Sequence, residues 1–170
     1  MPNYSPIAVA NAFLERSFDD GKSISPMKLQ KLVFLAHGYY LGAKGEPLVE
    51  EEFQAWPYGP VSQSLYREFK QFGGGPITQL GTEVCFTDDE EFDYRPVATP
   101  EDEFAQRVIG FVWDKYKDWK ATELSDLSHQ SGWAWERVRR RNPGQRSIDI
   151  PNPDIKTDFE SLVTKKAGSE

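Results

Sequence analysis

The 170-residue chain contains one cysteine, Cys85, and two histidines, His37 and His129. A lone thiol forms no internal disulfide, and one cysteine with two histidines falls short of a structural zinc set. Cys85 therefore reads as a small filler in a strand or loop. No apolar run approaches the roughly 20 residues that span a bilayer. The opening MPNYSPIAVANAF has neither the basic start nor the small-residue cleavage site of a signal peptide, so a cytoplasmic protein with no membrane partner is expected. Phosphate-binding glycine motifs are missing too. There is no GxxxxGKS/T and no GxGxxG, and Gly73-Gly74-Gly75-Pro76 places a proline where a phosphate cradle needs a free amide. The histidines do not fall in an HExxH spacing, and although Ser125 and Ser128 precede His129, no nucleophile elbow or oxyanion loop accompanies them. No catalytic residue, metal ligand or cofactor is assigned, and the chain reads as a non-enzyme. Repeats, low-complexity tracts and long linkers are also absent. At this length one core buries roughly 70% of the unfolded chain's surface, so residues 1–165 are expected to form one domain, with 166–170 a frayed tail.

Charge is present but unevenly placed. Asp88, Asp89, Glu90, Glu91, Asp93, Glu101, Asp102 and Glu103 share their segment with a single base, Arg95, and this stretch accounts for the whole net charge of −7. A basic cluster follows at Arg137, Arg139, Arg140, Arg141 and Arg146, so the molecule is expected to be bipolar. Each cluster is open to two readings, a solvated surface or a partner contact.

Hydrophobic spacing predicts a mainly α fold, about six helices around a central buried helix, with a small β-hairpin or short strands. Ser5-Pro6 opens a first helix that ends near Asp19-Asp20-Gly21, and Ser25-Pro26 opens the second. In the second, Leu29, Leu32, Val33, Ala36 and Tyr40 form one stripe and Met27, Phe34 and Leu41 another, which leaves Lys28, Gln30 and Lys31 as a wet strip and places the helix mid-fold. His37, at the margin of the stripe, reads as a satisfied packing histidine. Gly42 and Gly45 are expected to stop the helix, and residues 50–56 to run extended. Pro60 is expected at the first position of a third helix, whose stripe Val61-Leu65-Phe69-Phe72 leaves Tyr66 about 100° to the side. Residues 77–97 suggest a hairpin with the acids at its tip. Thr99-Pro100 is read as the start of a helix reaching Trp119, followed by a short helix capped by Thr122, the segment WAWERVRRR, an extended Ile148–Ile150 and a C-terminal helix from Asn152-Pro153.

The aromatic segments carry the most functional information. Trp56-Pro57-Tyr58-Gly59-Pro60 is a rigid loop with two large amphipathic rings. Those rings either anchor a protein partner, as Trp and Tyr often do at binding hot spots, or pack beneath the loop. Trp133 and Trp135, two apart on a helix, point to different sides, with one expected in the core and the other partly exposed.

The run from Met27 to Leu41, then Glu46-Pro47-Leu48, Phe53-Gln54-Ala55-Trp56-Pro57-Tyr58-Gly59-Pro60-Val61 and Ser64-Leu65-Tyr66, resembles the Panacea domain. The segment LSDLSHQSGWAWERVRR from Leu124 to Arg140 resembles that family's second signature, and together the matches span residues 5 to 163. The paired signature is specific, whereas either half alone is weak. The resemblance implies a mostly helical domain found in antitoxins of bacterial and phage toxin–antitoxin pairs, with no established catalytic residues to carry over. It makes a protein toxin encoded by a neighbouring gene the expected partner, neutralised by direct contact. A related adaptor that delivers its toxin to a protease supplies the alternative reading, a proteolytic adaptor or phage-associated regulatory protein handing a client toxin to a protease. Nucleic acid is a disfavoured partner for an acidic chain that lacks a recognisable helix-turn-helix. The candidate partner-binding residues are Trp56, Tyr58, Pro60, Tyr66, Asp88, Asp89, Glu90, Glu91, Trp133, Arg137 and Arg140.

Overall fold

The computed structural model describes residues 3–164; the expected frayed tail at 166–170 lies outside them. Two serine–proline steps start the first two helices. α1 (Pro6–Asp20) is capped by the Ser5 hydroxyl, which accepts from the Ile7 amide, and ends at Gly21 with φ 66°. α2 (Pro26–Lys44) is capped by Ser25 and ends at Gly45 with φ 76°. Two strands follow, β1 (Phe53–Trp56) and β2 (Gly59–Val61), joined by the two-residue turn Pro57-Tyr58. Next come α3 (Gln63–Phe69), a 3-10 turn at Lys70–Phe72, and a separate hairpin of β3 (Thr82–Phe86) and β4 (Phe92–Pro96). The chain continues through α4 (Glu103–Tyr116), α5 (Ala121–Ser128), α6 (Ala134–Arg141), β5 (Ile148–Ile150) and α7 (Asn152–Glu160). The fold is mainly α, with seven α-helices among the described residues. No helix there is long and apolar enough to cross a membrane.

β5 pairs antiparallel with β1, so the small sheet has the order β2-β1-β5 and joins residues 53–61 to the last third of the chain. α2 lies at the centre, packed by α1, α3, α4, α5, α7 and β2. Its stripe Leu29, Leu32, Val33, Ala36 and Tyr40 is buried, as are Phe34 and Leu41. Gly42 does not stop the helix. Gly38 and Gly42 instead form a groove for α7, where a Cβ on Gly38 would lie 2.2 Å from the Phe159 ring and one on Gly42 2.8 Å from the Phe159 carbonyl oxygen. Phe159 is buried there, its ring edge-on to Phe34, Tyr39 and Trp133. His37 is the packing histidine the sequence suggests. Its Nε2 lies 2.9 Å from Asn152 Oδ1, Nδ1 accepts from the Val49 amide, and burial pushes its pKa down to about 4.

The structure corrects four further local expectations. The wet strip of α2 is buried, because neighbours surround the helix and each polar end reaches a partner. Lys28 donates to the Lys117 carbonyl, Gln30 brackets Ser62 by accepting from its amide and donating to its carbonyl, and Lys31 donates to the Pro60 carbonyl. Pro60 lies in β2, not at a helix start. β2 is an edge strand, where a missing amide is tolerated, and α3 begins after Ser62, whose hydroxyl accepts from the Leu65 amide. α4 is capped by Asp102, not Thr99, and ends at Tyr116, short of Trp119; Phe111 on its stripe is half-exposed. Finally, α5 opens at Lys120, not Thr122, with the Glu123 carboxylate accepting from the Lys120 amide.

Candidate functional site

The β1–β2 hairpin is held by its carbonyls. Backbone acceptors in a two-residue turn need partners that the short ladder cannot supply, and here side chains from three helices supply them. Arg139 on α6 donates to Ala55 O at 3.1 Å, Trp135 Nε1 to Trp56 O at 2.7 Å, Ser125 Oγ on α5 to Tyr58 O at 2.8 Å, and Lys31 Nζ on α2 to Pro60 O at 3.0 Å. Ser128 Oγ in turn donates to the Ser125 carbonyl, and the His129 ring lies against Trp135 with centroids 4.1 Å apart. Burial and the neighbouring Lys31 charge lower the His129 pKa. Gly59 adopts φ 120°, and a Cβ there would come within 2.6 Å of Lys31 Nζ, so only glycine admits the lysine beneath the turn.

Lys31 is 1% exposed, and burial lowers its pKa to about 7, with no acidic partner among the described residues to offset the loss of water. A methionine would fill a similar volume without that cost, so the lysine's contribution lies in the bond it donates. The sign of the pH effect follows. Between pH 7 and 10.5 the unfolded chain binds the Lys31 proton and the folded chain does not, so folding stability rises with pH across that window. Lys31→Met is expected to be at least as stable as wild type at pH 6. The wild type should then gain on it by roughly 3–5 kcal/mol as pH climbs through the window. Urea melts of both proteins at pH 6, 8 and 10 check this; parallel curves would mean that Lys31 is not held in the way described.

On its outer side the hairpin presents aromatic rings. Tyr58 is 72% exposed at the turn, and Tyr66 on α3 is 48% exposed and lies against Trp56, with centroids 5.1 Å apart. The Trp56 indole N–H donates to Gln54 Oε1. These three rings, with Met27, Leu65 and Phe69, line a cavity of about 350 Å³ between the hairpin, α2 and α3. Tyr58 and Tyr66 therefore line one cavity together with the half-buried Trp56.

The other candidates fall elsewhere. Pro60 is buried within β2. Asp88, Asp89, Glu90 and Glu91 lie at the tip of the β3–β4 hairpin, largely exposed. Trp133 is partly buried against Phe159, and Trp135 is partly buried as well, so neither indole is wholly inside. Arg137 is turned inward, donating to Asp158 at 2.8 Å and pairing with Asp154 at 3.5 Å on α7. Arg140 is exposed and pairs with Glu136 one turn away. Lys31, Ser125, Trp135 and Arg139, which shape the hairpin, were not among the sequence candidates.

The family model described as Antitoxin SocA-like, Panacea domain, matches residues 29–136 of this chain. A protein named Antitoxin SocA, from Caulobacter vibrioides (strain NA1000 / CB15N), is 34% identical over 137 residues, a match covering 81% of this chain and 71% of that protein. No solved structure matches. The matched residues 29–136 take in α2 from Leu29 onward, the aromatic hairpin, the acidic hairpin and the Ser125 and Trp135 donors.

Proposed function

This chain belongs to the Antitoxin SocA-like, Panacea domain family, and on that premise we propose that it is an antitoxin that neutralises a cognate protein toxin by binding it directly. The observation that carries the reading is the aromatic platform. Trp56, Tyr58 and Tyr66 surround an apolar cavity on a hairpin whose carbonyls are fixed by four side-chain donors. Rigid aromatics lose little conformational entropy on association, and preorganisation converts contact into affinity. A toxin-silencing interface buries about 1,200–2,000 Å² in total, more than three rings cover, so the platform is the centre of a larger contact. Nucleic acid is a poor competitor for this protein, because most of the arginine cluster is already engaged with carboxylates and carbonyls of its own chain.

The test is genetic. Expression of the neighbouring reading frame alone should arrest growth, and co-expression with this chain should restore it. Rescue should persist in a host lacking its cytosolic proteases, since occlusion needs none of them. Rescue that vanishes there would favour the adaptor reading, and a neighbouring product without toxicity would count against the antitoxin assignment.

A further inference from the structure

The β3–β4 hairpin is amphipathic in the reverse of the usual sense. Its register sets Val84 opposite Tyr94 and Phe86 opposite Phe92. Side chains two apart share a face, so these four form one apolar surface. Val84, Tyr94, Phe86 and Phe92 are 61%, 72%, 64% and 78% exposed, respectively. The opposite face carries the Glu83–Arg95 ion pair and Cys85, and there Glu83 and Cys85 are half-buried. A strand register is normally fixed by turning its apolar face inward; here the polar face is the more sheltered one on β3, and β4 is exposed on both faces.

The root of this arm is fixed. Asn11, buried on α1, accepts from the Gly81 amide at 2.7 Å and donates to the Gly81 and Val97 carbonyls, each at 2.9 Å. Glu68 on α3 accepts from the Thr82 amide at 2.9 Å. A Cβ at Gly81 would lie 2.4 Å from Ile7. The arm is thus an ordered projection with an uncovered apolar face.

Charge selects what covers it. Asp88 to Glu91 lie at the tip, and the segment around them carries the chain's entire net negative charge. A second copy would bring the same charge to the contact, and nucleic acid or an anionic membrane would be repelled. A protein surface with a basic rim around an apolar strip satisfies both halves of the arm. Resting on the antitoxin reading above, we infer that the β3–β4 arm is a second toxin-binding element, in which Val84, Phe86, Phe92 and Tyr94 bury against an apolar strip on a basic toxin while the acidic tip meets its cationic rim.

The two halves separate kinetically. The probe is the purified product of the neighbouring reading frame, with binding to the full chain followed by stopped flow and surface capture. Phe86→Ser with Phe92→Ser is expected to weaken binding about thirtyfold, mostly through faster dissociation. Both rings are exposed, so the melting temperature should stay at the wild-type value, and Phe92→Ser alone provides a milder variant should the pair perturb the hairpin. Neutralising Asp88, Asp89, Glu90 and Glu91 to Asn and Gln is expected to slow association roughly tenfold at low ionic strength and to flatten its salt dependence. Wild-type affinity in the folded phenylalanine variants would overturn the arm as a contact while leaving the antitoxin reading intact. A neighbouring product that wild type fails to bind would remove both. Sedimentation showing a dimer that dissociates on Phe86→Ser/Phe92→Ser would assign the face to a second copy instead.

Discussion

Tyr58→Ala combined with Tyr66→Ala is expected to abolish toxin neutralisation while the thermal midpoint falls only slightly. Each ring is a candidate hot spot, and truncating a hot-spot aromatic costs about 2 kcal/mol of binding or more, a thirtyfold loss in affinity. The folded state loses little, because Tyr58 projects from the turn and Tyr66 is half-exposed beside Trp56, and surface substitutions usually stay within about 0.5 kcal/mol. The readout pairs growth rescue with a thermal melt. A folded double variant that still protects cells would move the interface away from the platform, with the arm or the face of α6 bearing Arg140 next in line. A variant that unfolds would return the rings to the core.

Phe159→Ala is expected to be the most damaging single substitution in the C-terminal helix, costing about 3–5 kcal/mol. The ring is fully buried against Gly38, with Gly42 against the Phe159 backbone, and it meets three other aromatics edge-on. Gly38→Ala attacks the same contact from the other side by overpacking, with an expected cost of about 1–3 kcal/mol. The two should not add. Removing the ring vacates the space that a methyl group at position 38 needs, so the double variant should be more stable than the sum of the single effects allows. Urea denaturation of the four proteins measures the coupling. Strict additivity would mean that α7 does not lie in the Gly38–Gly42 groove.

What could be read from the sequence was local. Ser5-Pro6 and Ser25-Pro26 announce their helices because cap and first-turn proline are adjacent in the chain. The acidic hairpin and the extended Ile148–Ile150 were legible from alternation and from breakers at their ends. Pro60 misled because a proline suits both a first helical turn and an edge strand, and only pairing with Ala55 decides between them. The wet strip misleads because charge and polarity alone place Lys28, Gln30 and Lys31 in water, whereas each finds an acceptor on another segment. In the site, the aromatic rings stood out by residue type. The donors behind them did not, since the bonds from Ser125, Trp135 and Arg139 span 67, 79 and 84 residues and leave no periodic trace.

Those long spans also set an order of events during synthesis. The hairpin leaves the ribosome well before α5 and α6, and its outer ladder partner, β5, is made later still. Until then the Ala55, Trp56 and Tyr58 carbonyls lack their donors, and His37 lacks Asn152, 115 residues further on. Long-range closures of this kind form late. A nascent chain therefore carries the aromatic rings without the scaffold that aims them, and if the platform is the toxin contact as proposed, neutralisation begins only when the last third of the protein has been translated and docked. For the same reason, a nick in the largely exposed stretch 142–147 between α6 and β5 would sever the covalent link to the closing strand while leaving every ring of the platform intact.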